Sequence, residues 1–178
     1  MTFRRLKLVA QGSAVGLVVG LLALLVWKLT AGGSHHVKEG ARVPNFALAR
    51  LDAPGKLSLA SFHGKVVVLN FWQSYCDPCK AEARLLESAW RLWRGRGVVF
   101  LGIDQQDFKT DARRFLERYK VTYPIVRDGP GALINRYGIT GWPETYIVRR
   151  DGRLFEHIVG QISSKAELDS SIRHALES

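Results

Sequence analysis

Two cysteines occur in the 178 residues, and they stand three apart in Cys76-Asp77-Pro78-Cys79. A disulfide that short closes almost no loop, so it would restrain the unfolded chain little. A four-ligand zinc site would need a second cysteine pair, and none exists. What the pair suits is dithiol–disulfide exchange, in which a thiolate attacks a disulfide sulfur. Its neighbours favour that chemistry. Pro78 fits the first turn of a helix, where its fixed φ is helical and its missing N–H is not needed. Cys76 then falls at or just before the helix N-terminus, beside unpaired N–H groups and the positive end of the dipole. Both stabilise a thiolate. No cofactor or metal is expected.

Two elements must position the pair. Residues 66–72, Val-Val-Val-Leu-Asn-Phe-Trp, are almost wholly apolar and β-branched or aromatic, which predicts a central strand covered on both faces. After Cys79 a helix carries Glu82, Leu85, Leu86, Ala89 and Trp93 on one face, with Arg84, Glu87, Arg91 and Arg94 mostly away from it. Glu82 is the informative member. A carboxylate in an apolar stripe one turn beyond Cys79 should be desolvated beneath the disulfide, which favours the neutral acid and lets it hold a proton for the thiols. The competing reading is a first-turn acid that reaches solvent.

The remaining pattern supplies a fold class. Residues 43–48 and 56–59 flank the turn Asp52-Ala53-Pro54-Gly55 and read as a β-hairpin. A buried strand over 98–104, a helix over 110–120 with Ala112, Phe115, Leu116 and Tyr119 inward, a strand over 121–126 and a helix over 131–137 follow. Such alternation predicts a parallel sheet with right-handed crossovers. Pro143 opens a further strand. Residues 144–148 and 153–159 form a hairpin about Arg150-Asp151-Gly152, with His157 on its solvent face. Ser164 and Glu167 make a capping box for a closing helix whose inward set is Leu168, Ile172 and Leu176. His63, in a loop, reads as structural or exposed.

Residues 1–40 differ from the rest. Residues 1–7 are basic and precede an apolar run over 8–27 broken only by Gln11 and Ser13. At ~1.5 Å per residue this run spans a bilayer core of ~30 Å. It is longer than a signal-peptide core, so an uncleaved anchor is expected, with cleavage near Ala31 as the alternative. Three positive charges precede the run and Lys28 alone follows it closely, which keeps residues 1–7 cytoplasmic and places the rest on the extracytoplasmic side of the cell membrane. Residues 28–40 form a flexible linker in which His35 and His36 read as solvated. Residues 41–178 suffice for one domain. The net charge is +10, yet no basic run interleaved with aromatics appears, and nucleic acid is not expected as a partner.

These residues resemble the membrane-tethered thiol:disulfide oxidoreductases of the TlpA/ResA/CcmG (DsbE) group, from about Val43 to the C-terminus. The matching runs are Leu69-Asn70-Phe71-Trp72 with Cys76-Asp77-Pro78-Cys79, residues 104–128 as an inserted helix and strand, and residues 137–145, whose Pro143-Glu144-Thr145 favours the cytochrome c maturation branch. The resemblance implies a thioredoxin fold: a central mixed sheet flanked by helices, with an N-terminal β-hairpin, an inserted helix–strand unit and one preceding transmembrane helix. It implies a cis Pro143 that sets the Trp142 backbone beside Cys76. It also implies a substrate groove of Trp72, Tyr75, Asp77, Pro78, Trp142 and Pro143, and an acid at Glu82. The implied substrate is the haem-site disulfide of apocytochrome c, with electrons from a membrane thiol donor of the CcdA or DsbD kind. Three positions depart from the pattern: Tyr75 replaces a Trp, Arg84 stands where relatives often have a proline, and Asn70 occupies the place of the buried Asp of cytoplasmic thioredoxins.

Asp77 sets a negative charge between the sulfurs, which disfavours the thiolate and predicts a reductant. Three other functions compete. A peroxiredoxin-type peroxidase would want Thr where Gln73 stands. A copper-binding or metallochaperone module could use both thiolates with a distant histidine such as His157. A general envelope disulfide reductase would share all of the chemistry but not the cytochrome substrate.

Overall fold

A computed structural model of the protein describes residues 16–28 and 36–178. The expected anchor over 8–27 begins outside these residues. Residues 16–28 are helical (α1), and their apolar side chains, Leu17, Leu21, Leu24 and Leu25 among them, are exposed. Among the described residues no helix is long and apolar enough to cross a membrane.

From residue 36 onward the chain builds a seven-stranded mixed sheet of order β2-β1-β5-β4-β3-β6-β7. β1 (Ala47–Arg50) and β2 (Lys56–Ser58) are the expected hairpin. A 3-10 turn follows over Leu59–Phe62. β3 (Val66–Trp72) lies at the centre, parallel to β4 (Val98–Gln105) and antiparallel to β6 (Glu144–Val148). Every residue of both central strands is buried. β5 (Ile125–Asp128) joins β4 in parallel, and β7 (Leu154–Val159) closes the far edge against β6. Helices α2 (Asp77–Trp93), α3 (Lys109–Tyr119) and α5 (Lys165–Glu177) contribute to the core on one face; α4 (Ala132–Tyr137) and the residues leading into β1 contribute to the core on the other.

Strand alternation decides what each face receives. Val66, Val68 and Trp72 of β3 join the α2 side, whereas Val67, Leu69 and Phe71 join the α4 side. Asn70 keeps step with Val68 and Trp72, so the one polar residue of β3 points beneath α2. In β6 the same alternation sends Thr145 and Ile147 to the α2 side and Glu144, Tyr146 and Val148 to the other. Gly102 of β4 lies under the ring of Trp72. A Cβ there would meet Ile125 Cδ1 at 2.4 Å and Trp72 Nε1 at 3.0 Å, so only glycine permits the approach.

Three expectations need correction. The strand expected over 121–126 begins at Ile125. α3 ends at Lys120 in the left-handed conformation, and Pro124, which lacks an N–H, only accepts, from Gly102 N at 3.0 Å. Glu87 is not on a solvent face but buried: it accepts from Thr122 N and Oγ1, each at 2.8 Å, and from Arg91 Nε at 2.7 Å. His157 is not on a solvent face either. Its ring stacks on Tyr146 at 4.0 Å and its Nε2 meets Glu144 at 2.8 Å, because β7 is covered on that side and a buried carboxylate requires a partner.

Glu87 therefore pins the loop after α3 to α2. Replacing it with Ala leaves the Thr122 N–H without its acceptor, and urea denaturation should show a loss of about 1–3 kcal/mol. Glu117→Ala, on the exposed face of α3, should stay within about 0.5 kcal/mol of the parent.

Candidate active site

Cys76 is the N-cap of α2, with Pro78 inside the first turn. Its Sγ accepts a hydrogen bond from Cys79 N at 3.1 Å, so the sulfur sits where helix N–H groups converge. Cys76 and Cys79 form a disulfide, Cα to Cα 5.3 Å. Cys79 is buried, while Cys76 is half-buried at the rim. Of the two cysteines, Cys76 is therefore the more open to an incoming sulfur.

Glu82, one turn beyond Cys79, is 1% exposed. Its Oε1 accepts from Asn70 Nδ2 at 2.8 Å and its Oε2 from Ile162 N at 2.9 Å. Asn70 Nδ2 also donates to Thr145 Oγ1 at 3.0 Å. Burial pushes the carboxyl up to about 7, and the hydrogen bonds from Ile162 and Asn70 only partly oppose it. The solvent-reaching alternative is excluded by this position. Asp104, at the end of β4, is a second buried acid, raised to about 7 by burial and by the charge of Asp107, with Arg127 opposing.

The other groove candidates divide. Tyr75 is 63% exposed beside the disulfide, and Pro78 and Asp77 are also at the surface. The Asp77 carboxylate pairs with Lys80 Nζ at 2.7 Å, and that hydrogen bond holds it below the usual carboxylate range. The Trp142–Pro143 bond is cis. Trp142 is half-buried, packs against the cores on both faces of the sheet, and donates from Nε1 to Gln105 Oε1 at 3.0 Å. Trp72 does not line a groove. It is 2% exposed and stacks on Phe115 at 4.4 Å, so it forms the floor.

Several positioning residues escaped the sequence reading. Asp107 accepts from Ser74 N at 2.6 Å and Ser74 Oγ at 3.0 Å, fixing the turn that delivers Cys76. Gln105 holds Trp142 and also reaches Asp128 Oδ2 at 3.2 Å. Glu144 Oε1 accepts from Thr140 N at 2.8 Å, Thr140 Oγ1 at 2.9 Å and Gly141 N at 3.1 Å, which fixes the loop before Pro143. Burial raises the Glu144 carboxyl, but the hydrogen bonds with His157 and Thr140 outweigh it and hold the group below its ordinary value. The polar run Gln105-Gln106-Asp107 just beyond a buried strand was the available signal, since open α/β sheets place their sites at the carboxyl ends of strands. The structure also draws together His36, Glu144 and His157 on the α4 side.

Residues 40–157 match the model of the AhpC/TSA family. Among curated proteins, the thiol-disulfide oxidoreductase ResA of Geobacillus thermodenitrificans is 30% identical over 129 residues, covering 72% of this chain and 74% of that protein. ResA of Bacillus subtilis is 27% identical over 143 residues, covering 80% and 79%. Among solved structures, a DsbE-type thiol:disulfide interchange protein from Chlorobium tepidum superposes with a TM-score of 0.73 at 26% identity, covering 79% of this chain and 99% of that one. A secreted Mycobacterium tuberculosis disulfide oxidoreductase homologous to Escherichia coli DsbE gives 0.66 at 25% identity, covering 72% and 95%. With the disulfide at the mouth of α2 these likenesses agree: the chain belongs to the AhpC/TSA family, with a thioredoxin-like fold, and is a thiol:disulfide oxidoreductase.

Proposed function

We propose that this chain is a membrane-anchored, extracytoplasmic reductant of protein disulfides, and that its substrate is the haem-site disulfide of apocytochrome c. The observation that carries the reading is Cys76 at the open N-cap of α2 with Cys79 and Glu82 buried behind it. Reduced Cys76 attacks one sulfur of the substrate disulfide. A mixed disulfide forms, and one substrate thiolate leaves. Cys79 gives up its proton and attacks Cys76 Sγ; the Cys76–Cys79 disulfide forms and the second substrate thiolate leaves. Two electrons pass to the substrate. Glu82, poised near neutrality, is the group placed to take the Cys79 proton.

The direction rests on Glu82 more than on Asp77. The Asp77–Lys80 pair is exposed and nearly cancels, so its field at the sulfurs is small. An ionised, buried Glu82 disfavours a neighbouring thiolate, hence the reduced state, and makes the couple reducing. A membrane thiol donor of the CcdA or DsbD kind would then return the electrons. Anchoring through residues 8–27 is supported by the basic residues before the run and by the exposed apolar surface of α1. The cytochrome substrate is supported by Pro143-Glu144-Thr145 and by the ResA and DsbE likenesses.

Cys79→Ser should arrest the cycle at the mixed disulfide. Recovery of apocytochrome c on Cys76 supports the reading; recovery of unrelated envelope proteins alone assigns a general reductase instead. The measured potential should lie on the thioredoxin side, about −270 mV, and a value near that of DsbA, about −120 mV, would contradict a reductant. Glu82→Gln should make the couple more oxidising at pH 8, by roughly 30 mV.

Glu82 also links stability to pH. Its folded value of about 7 lies above its unfolded value, so the folded state binds the proton more tightly. The stabilisation is whole below the unfolded value and is lost as pH rises through about 7. Asp104 contributes with the same sign in the same window. Denaturation of the oxidised protein from pH 5 to pH 8 should therefore show stability falling, and Glu82→Gln should remove about half of that slope.

A further inference from the structure

We propose that His36, Glu144 and His157 form a zinc-type divalent metal site on the face of the sheet opposite Glu82. The three come from separate parts of the chain: the segment before β1, the first position of β6, and β7. One donor atom from each lies within 4.8 Å of the other two. Glu144 Oε2 and His157 Nε2 already meet at 2.8 Å, and the imidazoles of His36 and His157 have centroids 5.3 Å apart. His36 Nδ1 is buried and has no hydrogen-bond partner among the described residues. An orphaned polar atom of that kind costs free energy that a ligand nearby can relieve.

Glu144 is oriented as a metal ligand would be. Its Oε1 is fully engaged by Thr140 and Gly141, which leaves Oε2 turned toward the histidines. Outer hydrogen bonds of this type fix a coordinating carboxylate, and the stacking of His157 on Tyr146 fixes its ring in the same way. Two imidazoles and one carboxylate suit Zn2+ at about 2.0–2.2 Å, with a fourth position left to water. Tetrahedral geometry sets the donors about 3.4 Å apart, so a metal would replace the Glu144–His157 hydrogen bond, part that pair slightly and draw the His36 nitrogen inward. His36 can supply the movement, because its backbone belongs to no helix or strand. Neither cysteine takes part, so the site is separable from the redox pair. Occupied, it would tie the segment before β1 to the carboxylate that holds the loop before cis Pro143.

The test uses the full-length, oxidised protein in detergent, so that no free thiol competes for metal. After equilibration with Zn2+ and dialysis against metal-free buffer, one zinc per chain should remain. Competition with a chromophoric chelator should show His36→Ala and His157→Ala each at least about tenfold weaker. His35→Ala and His63→Ala should bind as the parent does. His157→Ala uncovers a buried carboxylate and can disturb folding, whereas His36→Ala lies outside every element, so the latter decides. No retained zinc, parental affinity in His36→Ala, or loss in His35→Ala with His36→Ala unaffected would each overturn the site.

Discussion

The structure depends most on one buried carboxylate. Glu82 is held by a side chain from β3 and a backbone N–H from the loop entering α5, so a single side chain of α2 ties three parts of the chain together. Removing such an acid from water is costly, and its two hydrogen bonds offset only part of that cost. The residual strain appears as a proton affinity near neutrality. Under the proposed cycle, stability is given up at the same point where the redox pair would need a proton acceptor, which is how active sites commonly depart from the best-packed solution.

Sheet alternation then separates two polar systems that sequence alone places side by side. Glu144 and Thr145 are neighbours, yet Thr145 belongs to the network beneath the disulfide and Glu144 to the histidines on the other face. Their two side chains leave β6 just after the cis Trp142–Pro143 peptide. One system lies on the α2 side with the redox pair, and the other holds the loop before Pro143.

The central strand, the cysteine turn and the buried Glu82 were legible because each is local. Six apolar residues in a run of seven announce a strand covered on both sides, and helical spacing alone puts Glu82 in an apolar stripe. What escaped depends on distant partners. Glu87 reads as a surface acid until Thr122, 35 residues on, arrives to donate to it. His157 reads as solvent-facing until the segment bearing His36 covers the edge. Trp72 was placed in the groove by resemblance, but alternation puts it with Val66 and Val68 in the core under α2. Asn70 is the instructive middle case: its face was predictable from period two, its bond to Glu82 only from the assembled layers.

The bare position in β4 carries a last consequence. An added methyl at Gly102 would press hardest on Ile125 and then on Trp72 and Tyr123, three side chains of the core packed beneath the redox helix. A residue that touches no substrate would thus behave in a mutational screen as though it belonged to the reaction.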